Sequence, residues 1–166
     1  LAAEEVELSD MIVTNTRDDL LIYMTIQGAF TEKMEAAIFS GVPTTFTFFV
    51  QLYRDRSFWV DKQIADLAVT HAVKYDTLKK VFLVSRSWEK NQPLTVTSLD
   101  EVKRLMCDLS GLKVMALKEL EKGRQYQLRA KAQMSKVTLP FHLHYVLFFL
   151  SLWDFETDWY AIDFIY

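Results

Sequence analysis

Apolar and polar residues alternate along much of the chain, as they do in strands with one buried and one wet face. Leu20, Ile22, Met24 and Ile26 fall on one face of a first segment, and Phe46, Phe48, Val50 and Leu52 on one face of a second. Leu67, Val69, His71, Val73 and Tyr75 make a third apolar row, with Asp66, Thr70 and Lys74 on the opposite side. The clearest case sets Tyr126, Leu128, Ala130, Ala132 and Met134 against Gln125, Gln127, Arg129, Lys131 and Gln133. One-sided strands of this kind belong to antiparallel sheets. Lys79 to Arg86, Lys113 to Glu119 and Asp158 to Tyr166 are further expected strands, and Glu7 to Thr14 is a weaker one. Polar breaks at 17–19, 54–57, 76–77 and 121–123 read as hairpin connections.

Two helices interrupt the strands. Ser98, Leu99, Asp100 and Glu101 match a capping box, in which the Ser hydroxyl accepts from the amide of Glu101 while the Glu side chain reaches back. Val102, Leu105, Met106 and Leu109 follow at helical spacing, and Gly111 is expected in the left-handed position after the helix. Thr31 to Ser40 is the second helix, with Met34, Ala37 and Ile38 on one side and Gly41 and Pro43 as stops. Phe141 to Leu152 stays open between a helix and a buried strand. The expected fold is a single domain over 1–166, mainly β or α+β, an antiparallel sandwich with two or three short helices.

Composition narrows the function classes. A chain of 166 residues can bury about 70% of its unfolded surface, enough for one full core. Four glycines do not furnish a phosphate cradle, and a net charge of −3 argues against nucleic acid as a partner. Charge is uneven: all 19 basic residues lie between residues 11 and 136, together with 14 of the 22 acidic ones. Ten of the 23 aromatic residues lie from Phe141 onward. The apolar run from Tyr145 to Trp153 has nine residues, too short for a membrane-spanning helix, which needs about 20.

Leu1, Ala2 and Ala3 before Glu4 and Glu5 read as the small-residue end of a cleaved secretory signal peptide or as an artificial boundary. An uncleaved leader would act as an anchor. A single cysteine, Cys107, forms no internal disulfide, and its apolar neighbours suggest a core position. His71 sits in an apolar row and reads as a hydrogen-bonded core histidine. His142 and His144 would share a face on a strand, yet no second His or Cys pair completes a zinc set, so neither metal nor cofactor is expected. Asp154, Glu156 and Asp158 alternate beside Trp153 and Trp159, a pattern open to carbohydrate chemistry or to a plain polar turn. The candidate binding surface is therefore Phe141, His142, His144, Tyr145, Trp153, Asp154, Glu156, Asp158 and Trp159.

Phe58-Trp59-Val60-Asp61, Tyr75-Asp76-Thr77-Leu78, the Ser98-Leu99-Asp100-Glu101 helix start, Leu120 through Gly123 leading to Tyr126, Leu139-Pro140 and Ser151-Leu152-Trp153 with Trp159 occur in a telling order. In these the chain resembles an uncharacterised bacterial family, the domain-of-unknown-function family DUF4390. The resemblance implies an exported or membrane-tethered envelope protein of proteobacterial type, whose genes often neighbour a nitrogen-regulatory type sensor kinase pair. It implies no activity and no catalytic residues. The leading expectation is a non-enzymatic periplasmic or envelope interaction module that binds another envelope protein. An alternative is a protein that binds an apolar ligand, lipid or the membrane surface through 141–153, and the remotest reading is a carbohydrate-active enzyme.

Overall fold

The computed structural model describes residues 5–56, 59–90, 93–134 and 154–166. Strands β1 (Glu7–Asn15), β2 (Asp19–Gln27) and β7 (Asp108–Ala116) form one antiparallel sheet in the order β1-β2-β7. The second sheet has six strands in the order β6-β5-β4-β3-β8-β9, from β3 (Thr44–Arg54), β4 (Lys62–Asp76), β5 (Val81–Arg86), β6 (Leu94–Val96), β8 (Gln125–Met134) and β9 (Tyr160–Ile165). Helix α1 (Glu32–Phe39) links β2 to β3, and α2 (Leu99–Cys107) links β6 to β7. The fold is thus the expected mainly β, sandwich-like arrangement of two antiparallel sheets. Among the described residues no helix is long and apolar enough to cross a membrane.

Where alternation in the sequence is unbroken, burial follows it. Leu20, Ile22, Met24 and Ile26 of β2 are buried, as are Phe46, Phe48, Val50 and Leu52 of β3 and the five apolar residues of β8. Each sheet turns its apolar row inward, and α2 adds Val102, Leu105 and Met106 to the shared core. Burial of this kind stabilises by about 1.5–3 kcal/mol per large side chain relative to exposure.

Helix ends follow local chemistry. The Thr31 hydroxyl accepts from the Met34 amide at 3.2 Å and caps α1. The Ser98 hydroxyl accepts from the Glu101 amide at 3.4 Å and caps α2. Of the expected capping box this half is present, while the Glu101 carboxylate lies 3.7 Å from Arg104.

Gly111 is not the residue that ends α2. The helix stops at Cys107, and β7 starts at the next residue, so Gly111 lies inside a strand with φ +76°. The pairing with β2 slips there, Ile22 facing Leu112 and Tyr23 facing Ser110, which is a β-bulge. Inward residues accordingly step by three, from Leu109 to Leu112, before alternation resumes at Val114. A Cβ on Gly111 would sit 3.1 Å from the Tyr23 hydroxyl. Gly111→Ala should cost about 1–2 kcal/mol through the left-handed backbone alone. Urea denaturation checks this, and a change under about 0.5 kcal/mol would show that the bulge rearranges instead.

One connection also departs from expectation. The break at 121–123 is not a hairpin within a sheet, because β7 and β8 lie in different sheets. A short 3-10 turn (Leu117–Glu119) precedes the crossing, and the Tyr126 hydroxyl accepts from the Glu121 amide at 2.8 Å to hold it. The Phe141 to Leu152 segment lies outside the described residues.

Candidate functional site

Strands β3, β8 and β9 lie side by side, and their wet rows form the outer face of the larger sheet. Across this face Gln51 pairs with Arg129, Phe49 with Lys131 and Tyr53 with Gln127. The Arg129 guanidinium carbon lies 4.2 Å from the centre of the Tyr53 ring. The Lys131 ammonium sits 5.8 Å from the Phe49 ring and 5.2 Å from that of Trp159, and it pairs with the Glu156 carboxylate. Two cation–aromatic stacks therefore occupy neighbouring rows, each contributing about 0.5–1 kcal/mol where solvent reaches it.

A bulge brings Trp159 there. Glu156 faces Gln133 and Tyr160 faces Ala130, so three residues oppose two between those pairs. The Thr157 hydroxyl accepts from the Ala132 amide at 3.0 Å while the Thr157 amide donates to the Ala132 carbonyl, filling the ladder where the bulge interrupts it. Phe155 and Tyr160 pack on the core on either side of the bulge, and Trp159 is displaced to the outer face, 44% exposed.

Of the sequence candidates, the structure brings Glu156 and Trp159 together at Lys131. Asp158 is exposed beside them and Asp154 is half-buried. Phe141, His142, His144, Tyr145 and Trp153 lie outside the described residues. Of the three carboxylates open to a carbohydrate-active reading, Asp154, Glu156 and Asp158, Glu156 is engaged by Lys131. Sequence reasoning missed Phe49, Tyr53, Arg129 and Lys131. The available signal was the presence of two aromatic rings, four residues apart, on the wet row of β3.

Two reactive side chains lie away from this face. His71 is fully buried: its Nδ1 is 3.0 Å from the Met106 carbonyl, and its Nε2 accepts from the Trp88 indole N–H at 2.9 Å. Those partners place the ring hydrogen on Nδ1. Burial is the main cause of a pKa lowered to about 4, with the nearby Arg86 acting in the same direction. Burial likewise pushes the Cys107 thiol up to about 12. Among the described residues no three His, Cys, Asp or Glu side chains group as a metal site. A cleft of about 380 Å³ opens beside the β4–β5 turn, lined in part by Ser40, Lys74, Tyr75, Asp76 and Leu83. Asp76 is committed there, since its carboxylate accepts from the Leu78 and Lys79 amides.

No curated protein and no solved structure matches the chain. A family model described as a domain of unknown function matches residues 3–163, and the chain therefore belongs to the DUF4390 family.

Proposed function

We propose that the domain is a non-enzymatic interaction module of the cell envelope that docks another protein on the outer face of β3, β8 and β9. The observation that carries this reading is the pair of stacks on adjacent rows, Arg129 on Tyr53 and Lys131 between Phe49 and Trp159. Trp, Tyr and Arg are the residue types that dominate binding energy at protein interfaces. Held in place beforehand, these side chains lose less freedom when a partner arrives. A binding role is further supported by His71, engaged at both nitrogens, and by Cys107, whose thiol stays protonated near neutrality. The exported, envelope setting is carried over from what the family resemblance implies.

Affinity capture from envelope extracts tests the proposal. The unaltered chain should retain a stoichiometric partner, and Tyr53→Ala/Trp159→Ala should weaken retention roughly 30-fold, equivalent to about 2 kcal/mol. Equal recovery by both chains would remove this face from consideration. Protease accessibility in spheroplasts but not in intact cells is the expected result for the location.

A further inference from the structure

Hydrogen-bond accounting on the outer face leaves an imbalance. Gln127 is committed at both ends, its Oε1 accepting from Arg129 Nε at 2.6 Å and its Nε2 donating to Asp163 Oδ1 at 2.9 Å. That double engagement fixes which end of the amide is oxygen. The Tyr53 hydroxyl shares its hydrogen between Gln51 Oε1 at 3.1 Å and Gln63 Oε1 at 3.3 Å. Each of these amide oxygens thus already accepts a hydrogen bond. The two terminal nitrogens of Arg129, by contrast, meet no acceptor among the described residues, although the guanidinium is held by Tyr53 and Gln127. A positioned guanidinium with its fork open is suited to a planar, two-oxygen acceptor.

We infer that Arg129 anchors a carboxylate side chain of the protein partner, with the apolar residues beside that carboxylate resting on Phe49 and Trp159. This assignment rests on the docking-face reading above. A carboxylate fits better than a phosphate for reasons of charge. Lys131 is already occupied by Glu156, while Asp163 on β9 stands opposite Gln127 and Asp66 on β4 stands opposite Gln51. A second negative charge on the ligand would add to the repulsion from these acids on the same face.

Two peptides capped at both ends, Glu-Leu-Glu and Gln-Leu-Gln, serve as probes against the isotopically labelled full chain. The nuclear magnetic resonances followed are the Arg129 Nε–Hε and the Trp159 indole. The Glu peptide should shift both saturably, and the Gln peptide should bind at least roughly tenfold more weakly. Arg129→Lys, which keeps the charge but loses the fork, should weaken the Glu peptide by roughly tenfold. Equal response to both peptides, no saturable shift up to the solubility limit, or no effect of Arg129→Lys overturns the assignment. So does tighter binding of inorganic phosphate than of the Glu peptide. The two readings separate in partner capture. Recovery lost with Tyr53→Ala/Trp159→Ala but unchanged with Arg129→Gln keeps the docking face and removes the carboxylate anchor. Recovery unchanged in both variants removes the face itself.

Discussion

Between pH 6.5 and about 4 the domain is expected to lose roughly 3 kcal/mol of stability through one imidazole, that of His71. In the unfolded chain this ring takes up its proton near 6.5, whereas in the folded chain burial holds the value down to about 4. The unfolded state therefore binds more protons throughout that window, and stability falls as pH falls. Its contribution is complete above 6.5 and is lost as pH drops through about 4. Geometry gives the cost a location. A proton on Nε2 would set two N–H donors against each other, the imidazolium and the Trp88 indole, 2.9 Å apart. Arg86 faces His71 directly from β5, and its pairing with Glu89 only partly offsets the added repulsion. Urea titrations at several pH values, run beside His71→Phe, test this. The variant should be less stable at pH 7, because the Met106 carbonyl and the Trp88 indole lose their partner at about 1–3 kcal/mol each. Its profile should be flatter, so the two proteins converge by about 3 kcal/mol on acidification. Parallel profiles would mean that folding leaves the His71 pKa unshifted.

How far the sequence reveals this fold depends on where the strands bulge. In β2, β3 and β8 every second residue is buried across the strand, and period two is visible in the sequence as written. In β1 the pairing slips between Ser9 and Ile12, and Asp10 takes a left-handed φ of 50°. Inward positions run Leu8, Met11, Val13, which reads as a weak strand because the period is broken once in nine residues. Gly111 does the same to β7. A glycine after an apolar helical run fits both a helix cap and a bulge, and only the partner strand distinguishes them.

The outer face was illegible for a related reason. Glu156 and Trp159 could be suspected from aromatic and acidic neighbours, but their partners are Lys131 and Phe49, on strands far away in sequence. In the sequence Arg129 is one more wet-face cation, and only the fold sets the Tyr53 ring against it. The crowding of aromatic residues toward the C-terminus likewise divides once the bulge is known. Phe155, Tyr160, Phe164 and Tyr166 turn to the core, and Trp159 alone of the described five is thrown outward.

That division predicts opposite costs for two aromatic truncations. Phe46→Ala should destabilise by about 3–5 kcal/mol, because a fully buried ring is removed and its surroundings are held by strands on both sides. Two of those surroundings are rings from distant parts of the chain, Phe30 at 5.6 Å and Phe155 at 5.1 Å, both edge to face. Phe155 is also fixed through its carbonyl, which accepts at 2.9 Å from the amide of Met134, the residue opposite Phe46 on β8. Losing Phe46 therefore loosens the step into the bulge, and the amides of Met134 and Thr157 should exchange with solvent faster than those of β2. Trp159→Ala should cost less than about 1 kcal/mol, since it removes one half-exposed ring from a solvated stack. A double-mutant cycle of Phe46→Leu with Phe155→Leu should return a coupling of about 0.5–1.5 kcal/mol, while Phe46→Leu with Trp159→Ala should be additive. Coupling to Trp159 rather than to Phe155 would place Trp159 in the core, and the docking face would lose its tryptophan.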